Sequence, residues 1–272
     1  MIHEVGMADD TEKTGAGRVI LLGTGDPLNE ERAQTCLALP LADDETMLID
    51  VSGGIDVLRQ LKAAGIPLEK VRHLFVTHRH FDHAGGLAPF LVALTPLSGA
   101  GLTVHALPET LHALRGLLVF TIPGVEDWMG ERLRWEKLMP GQPVRVGDHE
   151  VLPFEVDHGI ECAGLRITLG SSILVYTADT RPAPSVVEYA RDADLLVHEA
   201  YSLQDGAEQA HAFGHSTAAE AGTAARKAGA KSLVLTHIRA SRFADPVALA
   251  KEAEAAFGRP VGVARDLDSF AF

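Results

Sequence analysis

The 272-residue sequence predicts an α/β fold in which two packed β-sheets lie between outer helices, although the same pattern admits a doubly wound parallel sheet. Three observations lead there. An early strand-rich block is followed by regular strand–helix alternation. Several helices carry explicit caps. A composition of 46% apolar and 22% charged residues supports a packed core, not a disordered chain. With no internal repeat or low-complexity linker, residues 1–272 read as a single domain.

Short β-branched or apolar runs mark strands at 19–23, 46–51, 71–77, 103–106, 150–156, 165–169, 173–177, 194–198, 232–236 and 261–264. Ser185-Val-Val-Glu188 and Thr217-Ala-Ala-Glu220 read as capping boxes, and Asp245-Pro246 as an N-cap followed by proline at the first helical position. Gly65, Gly229 and Gly258 stand where helical patterns stop. Segment 108–143 is the least regular. It holds Trp128 and Trp135 in a mixed-charge run that reads as an amphipathic helix packed on the core, with a lid or a dimer contact as the alternative.

Composition excludes several classes. A net charge of −13 argues against a broad nucleic-acid-coating surface, and 6% aromatics against a base-stacking platform. No apolar run approaches the ~18–20 residues of a membrane span. The polar, acidic start from Met1 to Arg18 shows no secretory h-region. Two cysteines, Cys36 and Cys162, make neither a disulfide framework nor a CxxC pair, as expected of a cytoplasmic protein.

The chemistry is concentrated after the strand at 71–77, where His78, His80, Asp82 and His83 follow within six residues and Gly85-Gly86 lets the chain turn beneath them. In extended chain His78 and His80 project to one side, and the turn that follows brings Asp82 and His83 to the same cavity. Imidazoles suit zinc and other borderline ions, and carboxylates can complete a second site. An HxHxDH pattern arises by chance in about two chains per thousand of this composition. His158, Asp179 and His237 each stand where a later apolar run stops, the place where α/β folds collect functional groups.

These residues resemble the metallo-β-lactamase superfamily of hydrolases, and within it the ribonuclease Z branch. The HxHxDH motif stands at His78–His83, followed in order by His158, Asp179 and His237. Leu21-Leu-Gly-Thr-Gly25, Leu48-Ile-Asp-Val-Ser-Gly-Gly54, His198-Glu-Ala-Tyr201, Gly214-His-Ser-Thr217 and Leu235-Thr-His237 look like further motifs of that branch. The resemblance spans about residues 18–266 and implies an αββα sandwich, two mixed sheets flanked by helices. It also implies a binuclear site for two divalent metal ions, zinc by family habit, with manganese or iron admitted by the ligand types. His78, His80 and His158 would hold one ion, Asp82, His83 and His237 the second, and Asp179 would bridge them. Asp82 doubles as a candidate catalytic carboxylate. His215 matches the family's proton donor and Glu199 the acidic residue of its HEAT-like motif, in which Tyr201 here replaces threonine. Asp50 reads as a support for the metal loop.

The expected reaction is phosphodiester hydrolysis, with a metal-bridging hydroxide as nucleophile and His215, oriented by Glu199, as general acid. Two divalent ions, two aspartates and one hydroxide sum to about +1, a cationic pocket in an acidic protein. One departure bears on substrate. Typical ribonuclease Z carries a basic arm between its histidine and bridging aspartate, but only 21 residues separate His158 from Asp179 here, filled by two strands. Transfer RNA is therefore disfavoured, and a small anionic or ester substrate is expected. The alternatives are a lactone, β-lactam or thioester hydrolase on the same metals, a transfer-RNA 3′-end endonuclease without the arm, and a metal-stabilised binding protein. Arg239, Ser241 and Arg242 read as solvated loop, with phosphate contact as the alternative, and a homodimer is the family habit.

Overall fold

A computed structural model describes residues 17–41, 44–97, 99–241 and 245–272. The start of the chain, with His3, and Arg242 lie outside the described residues. The first half contains β1 (Arg18–Gly23), β2 (Cys36–Pro40), β3 (Thr46–Ile49), α1 (Asp56–Ala63), β4 (Val71–Val76), the single turn α2 (Phe81–Ala84), α3 (Leu87–Leu94), β5 (Leu102–Ala106), α4 (Pro108–Thr121), α5 (Val125–Met129) and β6 (Leu133–Lys137). The second contains β7 (Val144–Val146), β8 (His149–Glu155), β9 (Ala163–Leu169), β10 (Ser172–Tyr176), α6 (Pro184–Tyr189), β11 (Leu195–Glu199), α7 (Ala207–Ala212), α8 (Ala218–Ala228), β12 (Ser232–Thr236), α9 (Pro246–Phe257), β13 (Val261–Val263) and β14 (Asp268–Ala271).

Two seven-stranded sheets result, ordered β14-β1-β2-β3-β4-β5-β6 and β13-β12-β11-β10-β9-β8-β7. The doubly wound alternative is thereby excluded. Each sheet is antiparallel at one end and parallel at the other: β3, β4, β5 and β6 run parallel in the first, β10, β11, β12 and β13 in the second. Three apolar layers follow from the period-2 alternation of the strands. Met47, Ile49 and Phe75 meet Leu165, Leu174 and Val197 between the sheets. Leu48, Leu74 and Val76 face α1, α3 and α4 on one outer side. Leu196, Val175 and Leu235 face α6, α8 and α9 on the other. Strands covered on both faces read as continuous apolar runs, which is why β1, β3, β4 and β12 stand out in the sequence.

Four strands escape the sequence reading. β2 and β14 are short, β6 (Leu-Arg-Trp-Glu-Lys) and β7 carry charges, and all are recruited by pairing with a neighbour, not by their own pattern. The expectation of an amphipathic helix through both tryptophans is corrected accordingly. Trp128 lies on α5 and is 58% exposed, whereas Trp135 sits on edge strand β6, partly buried against the outer core. The capping box at Ser185 is also corrected: α6 begins at Pro184 after Ala183, without a side-chain cap, so Ser185 falls inside the first turn. The Thr217–Glu220 box and the Asp245 cap are present, and Gly229 and Gly258 end α8 and α9. Among the described residues no helix is long and apolar enough to cross a membrane.

Candidate metal centre

The parallel strands of both sheets point their C-terminal ends at one cleft. β3 ends before Asp50, β4 before Thr77 and His78, β10 before Ala178 and Asp179, β11 on Glu199, β12 before His237, and antiparallel β8 shortly before His158. Backbone strain gathers at these exits: Asp50, Ser52, Ala178 and His237 all have φ between 53° and 61° although none is glycine. Left-handed residues of this kind cost about 1–3 kcal/mol each and persist where the surroundings over-determine them.

Seven side chains converge. The Nε2 atoms of His78 and His158 each lie 3.1 Å from His80 Nδ1. Asp179 Oδ2 stands amid four imidazole nitrogens: His83 Nε2 at 3.3 Å, His237 Nε2 at 3.4 Å, His78 Nε2 at 3.6 Å and His158 Nε2 at 3.9 Å. Asp82 Oδ2 lies 3.3 Å from His83 Nε2 and 3.2 Å from His237 Nε2. All are buried except His80, which faces the opening.

This set fits a pair of cations. Donors bound at about 2.0–2.1 Å around a tetrahedral ion stand about 3.3–3.4 Å apart, close to the spacings above. The potential donor atoms fall into the groups His78–His80–His158–Asp179 and Asp82–His83–His237, each within 4.8 Å, and Asp179 Oδ2 stands between them. His83 Nε2 and Asp179 Oδ1 are buried without a hydrogen-bond partner, polar atoms that a cation or its water would satisfy.

Outer contacts decide which ring nitrogen faces inward. Asp50 accepts from Thr77 N at 2.8 Å, from the Thr77 hydroxyl at 2.9 Å and from His83 Nδ1 at 2.8 Å. With its proton given to Asp50, Thr77 Oγ1 accepts from His78 Nδ1 at 3.1 Å. His158 Nδ1 donates to Gly214 O at 2.8 Å. His78, His83 and His158 therefore turn Nε2 toward the centre, whereas His80 presents Nδ1. Gly214 (φ +87°) has no Cβ, which would stand 2.7 Å from His158 Nδ1. Beneath the turn, Gly85 and Gly86 both have ordinary negative φ. What they supply is room: a Cβ on Gly86 would lie 1.8 Å from Val51 O.

Burial depresses the pKa of His78, His80 and His158, keeping those rings neutral as ligands must be. For His83 and His237 burial works the same way but is outweighed by Asp179 and Asp82, which lift His83 well above its usual value and His237 to about 9. The same contacts, against the burial penalty, hold both carboxyls below their ordinary range. The carboxylates thus draw in positive charge from whatever source is near.

Beside this cluster His215 Nδ1 lies 3.0 and 3.1 Å from the two oxygens of Glu199, whose Oε1 also accepts from Thr180 N at 2.6 Å. Burial disfavours charge on His215, but Glu199 outweighs it and raises the pKa. One ring nitrogen of His215 comes within 4.8 Å of Asp179 and His237.

Among residues outside the predicted set, Arg239 departs from the solvated-loop reading. Its side chain is 12% exposed, with Nε 3.8 Å from a buried Asp26 that sequence reasoning missed. Asp26 directly follows the Leu21–Gly25 motif, its one local signal, and only the fold brings its N–H to Ile238 O. Ser241 instead donates to Glu31 on the surface. His211 pairs with Glu220, and His73 with His105. The interval between His158 and Asp179 is the β9–β10 hairpin.

The chain is similar to several known proteins. The family described as "Beta-lactamase superfamily domain" matches residues 46–238. The probable metallo-hydrolase YhfI of Bacillus subtilis is 31% identical over 230 residues, 82% of this chain and 86% of that protein. A ribonuclease Z of Halorubrum lacusprofundi is 30% identical over 294 residues, 88% of this chain and 92% of its own length. The crystal structure of YhfI superposes with a TM-score of 0.81 at 27% identity, covering 94% of this chain and all of that one. Short-form human tRNase Z superposes at 0.75 with 20% identity, covering 93% and 98%, a likeness of fold.

Proposed function

The chain belongs to the β-lactamase superfamily and, within it, to the ribonuclease Z-like metal-dependent hydrolases, and we propose that it is a binuclear phosphodiesterase for small substrates. In this reading His78, His80 and His158 hold one cation, Asp82, His83 and His237 a second, and Asp179 is shared. Two divalent ions there, zinc by family habit, would lower the pKa of a shared water toward about 7 and offset phosphoryl charge.

The observation that carries the phosphodiesterase reading is the Glu199–His215 pair at the edge of the cluster. With Nδ1 turned to Glu199, His215 keeps Nε2–H for the cleft, and the carboxylate favours the imidazolium. A leaving alkoxide receives that proton. Glu199 cannot tilt away, because Thr180 N–H holds Oε1. A strained lactone or β-lactam has less need of such a donor, which ranks the carbon-centred alternative second. The hairpin between His158 and Asp179 and the net charge of −13 favour small substrates over a long polyanion.

Metal-loaded protein should hydrolyse a dinucleotide and bis-4-nitrophenyl phosphate in preference to a lactone or a cephalosporin, and lose that activity on chelation. His215→Ala should lower dinucleotide turnover by about 10²–10⁴-fold with two metals still bound. Preference for the carbon-centred substrates, or activity that survives stripping, would refute the reading. Loss of one metal in His215→Ala would instead make His215 a ligand, as its grouping with Asp179 and His237 allows.

A further inference from the structure

Glu199 holds His215 at Nδ1, which lies off the Cβ–Cγ axis, so that among polar contacts to the ring this pair alone opposes a swing about that bond. The swing would carry Nε2 away from the cleft. A second constraint is present. The Tyr201 ring lies parallel to His215, 4.7 Å between centroids and 3° between planes. The guanidinium carbon of Arg239 sits 4.4 Å over the Tyr201 ring, and Arg239 Nε lies 3.8 Å from Asp26. The result is a stack of Arg239, Tyr201 and His215, one plate from each of three chain segments.

Every plate is separately tied down. Tyr201 N donates to Ser216 O at 2.9 Å, binding the plate to the loop that carries His215. Arg239 follows Ile238, whose N–H donates to Thr24 O and whose carbonyl accepts from Asp26 N and Asn29 Nδ2. Asp26 itself is buried. The parallel faces suit ring stacking, and a guanidinium over a tyrosine face is attracted by the ring quadrupole.

We infer that Tyr201 and Arg239 are positioning residues: Tyr201 holds the His215 ring so that Nε2 addresses the leaving group, and Arg239, seated against Asp26, holds Tyr201. The inference rests on the reading of His215 as proton donor. Neither residue touches substrate in this role, and neither binds metal.

The test exploits leaving-group basicity. A 4-nitrophenolate departs without a proton, whereas the alkoxide of a dinucleotide needs one, so loss of donor alignment shows on the second substrate only. In metal-loaded full-length protein, Tyr201→Ala and the bulk-preserving Tyr201→Leu should lower kcat on a dinucleotide by about tenfold or more. They should leave kcat on bis-4-nitrophenyl phosphate within about twofold, with KM and metal content unchanged. Tyr201→Phe keeps the ring face and should match the parent, and Arg239→Gln should fall between. Equal losses on both substrates, or a Phe variant as impaired as the Ala variant, would overturn the role of the ring. Parent-like behaviour of Arg239→Gln would overturn the role of Arg239. His215→Ala is the reference. If it shows the selective loss and the Tyr201 variants do not, only this inference fails. If it lowers both substrates equally, the donor reading fails and takes the inference with it.

Discussion

Asp50→Asn isolates how the scaffold sets the proposed metal ligands. The Asp50 carboxylate receives Thr77 N–H on Oδ1, the Thr77 hydroxyl on both oxygens, His83 Nδ1–H on Oδ2 and, more distantly at 3.4 Å, the Tyr176 hydroxyl on Oδ2. Asparagine fits the same volume and tolerates the φ of 58°. It offers one acceptor oxygen and an NH2 in place of two acceptors. Placed at Oδ1, the NH2 confronts Thr77 N–H; placed at Oδ2, it confronts His83 Nδ1–H. The second arrangement drives His83 to its other tautomer, with a proton on the Nε2 that faces Asp82 and Asp179. Removing an outer partner of this kind costs about 10–100-fold in metal affinity, about 1.4–2.7 kcal/mol. Competition against a chromophoric chelator measures the affinity, and a melting curve of the stripped protein separates ligand misorientation from unfolding. A folded Asp50→Asn protein that binds metal within about threefold of the parent would refute this account of His78 and His83.

Two further outcomes follow from the geometry. Gly86→Ala places a methyl 1.8 Å from Val51 O and 3.0 Å from Gly54 O, both backbone, in a loop tied to the ligand turn by Val51 N–His83 O and Gly86 N–Ser52 O hydrogen bonds. Overpacking there should cost about 3 kcal/mol in urea unfolding, and a loss under about 1 kcal/mol would show that the loop yields freely. Away from the centre, burial and then neighbouring His73 depress the His105 pKa to about 4. The unfolded chain, at about 6.5, binds the proton first as pH falls, so stability rises with pH between about 4 and 6.5 and is lost on acidification through that window. At about 1.4 kcal/mol per pH unit the full loss is about 3.5 kcal/mol. His105→Gln should flatten the difference in melting temperature between pH 7 and pH 4.5, and an unchanged slope would remove His105 as the cause.

The sequence by itself determined what depends on neighbours along the chain. The apolar runs of β1, β4 and β12, the caps at Thr217 and Asp245 and the dense His78–His83 cluster are local patterns, legible because their periodicity and chemistry are set within a few residues. His158, Asp179 and His237 stand out locally only as polar residues ending apolar runs, and it is the family resemblance that joins them into one ligand set. Tertiary structure decided what depends on distance. Two sheets, not one doubly wound sheet, arise because the inner face of each finds the other sheet, Met47, Ile49 and Phe75 against Leu165, Leu174 and Val197, and helices cover only the outer faces. β6 is a strand because β5 leaves an edge to pair, despite a charged sequence that suits a helix. Asp179 Oδ2 comes to lie amid four imidazoles, and Arg239 over Tyr201, because strand ends from both halves of the chain meet at one cleft. No local pattern encodes that meeting: it depends on which strands pair, and pairing is won by burial summed over the whole molecule.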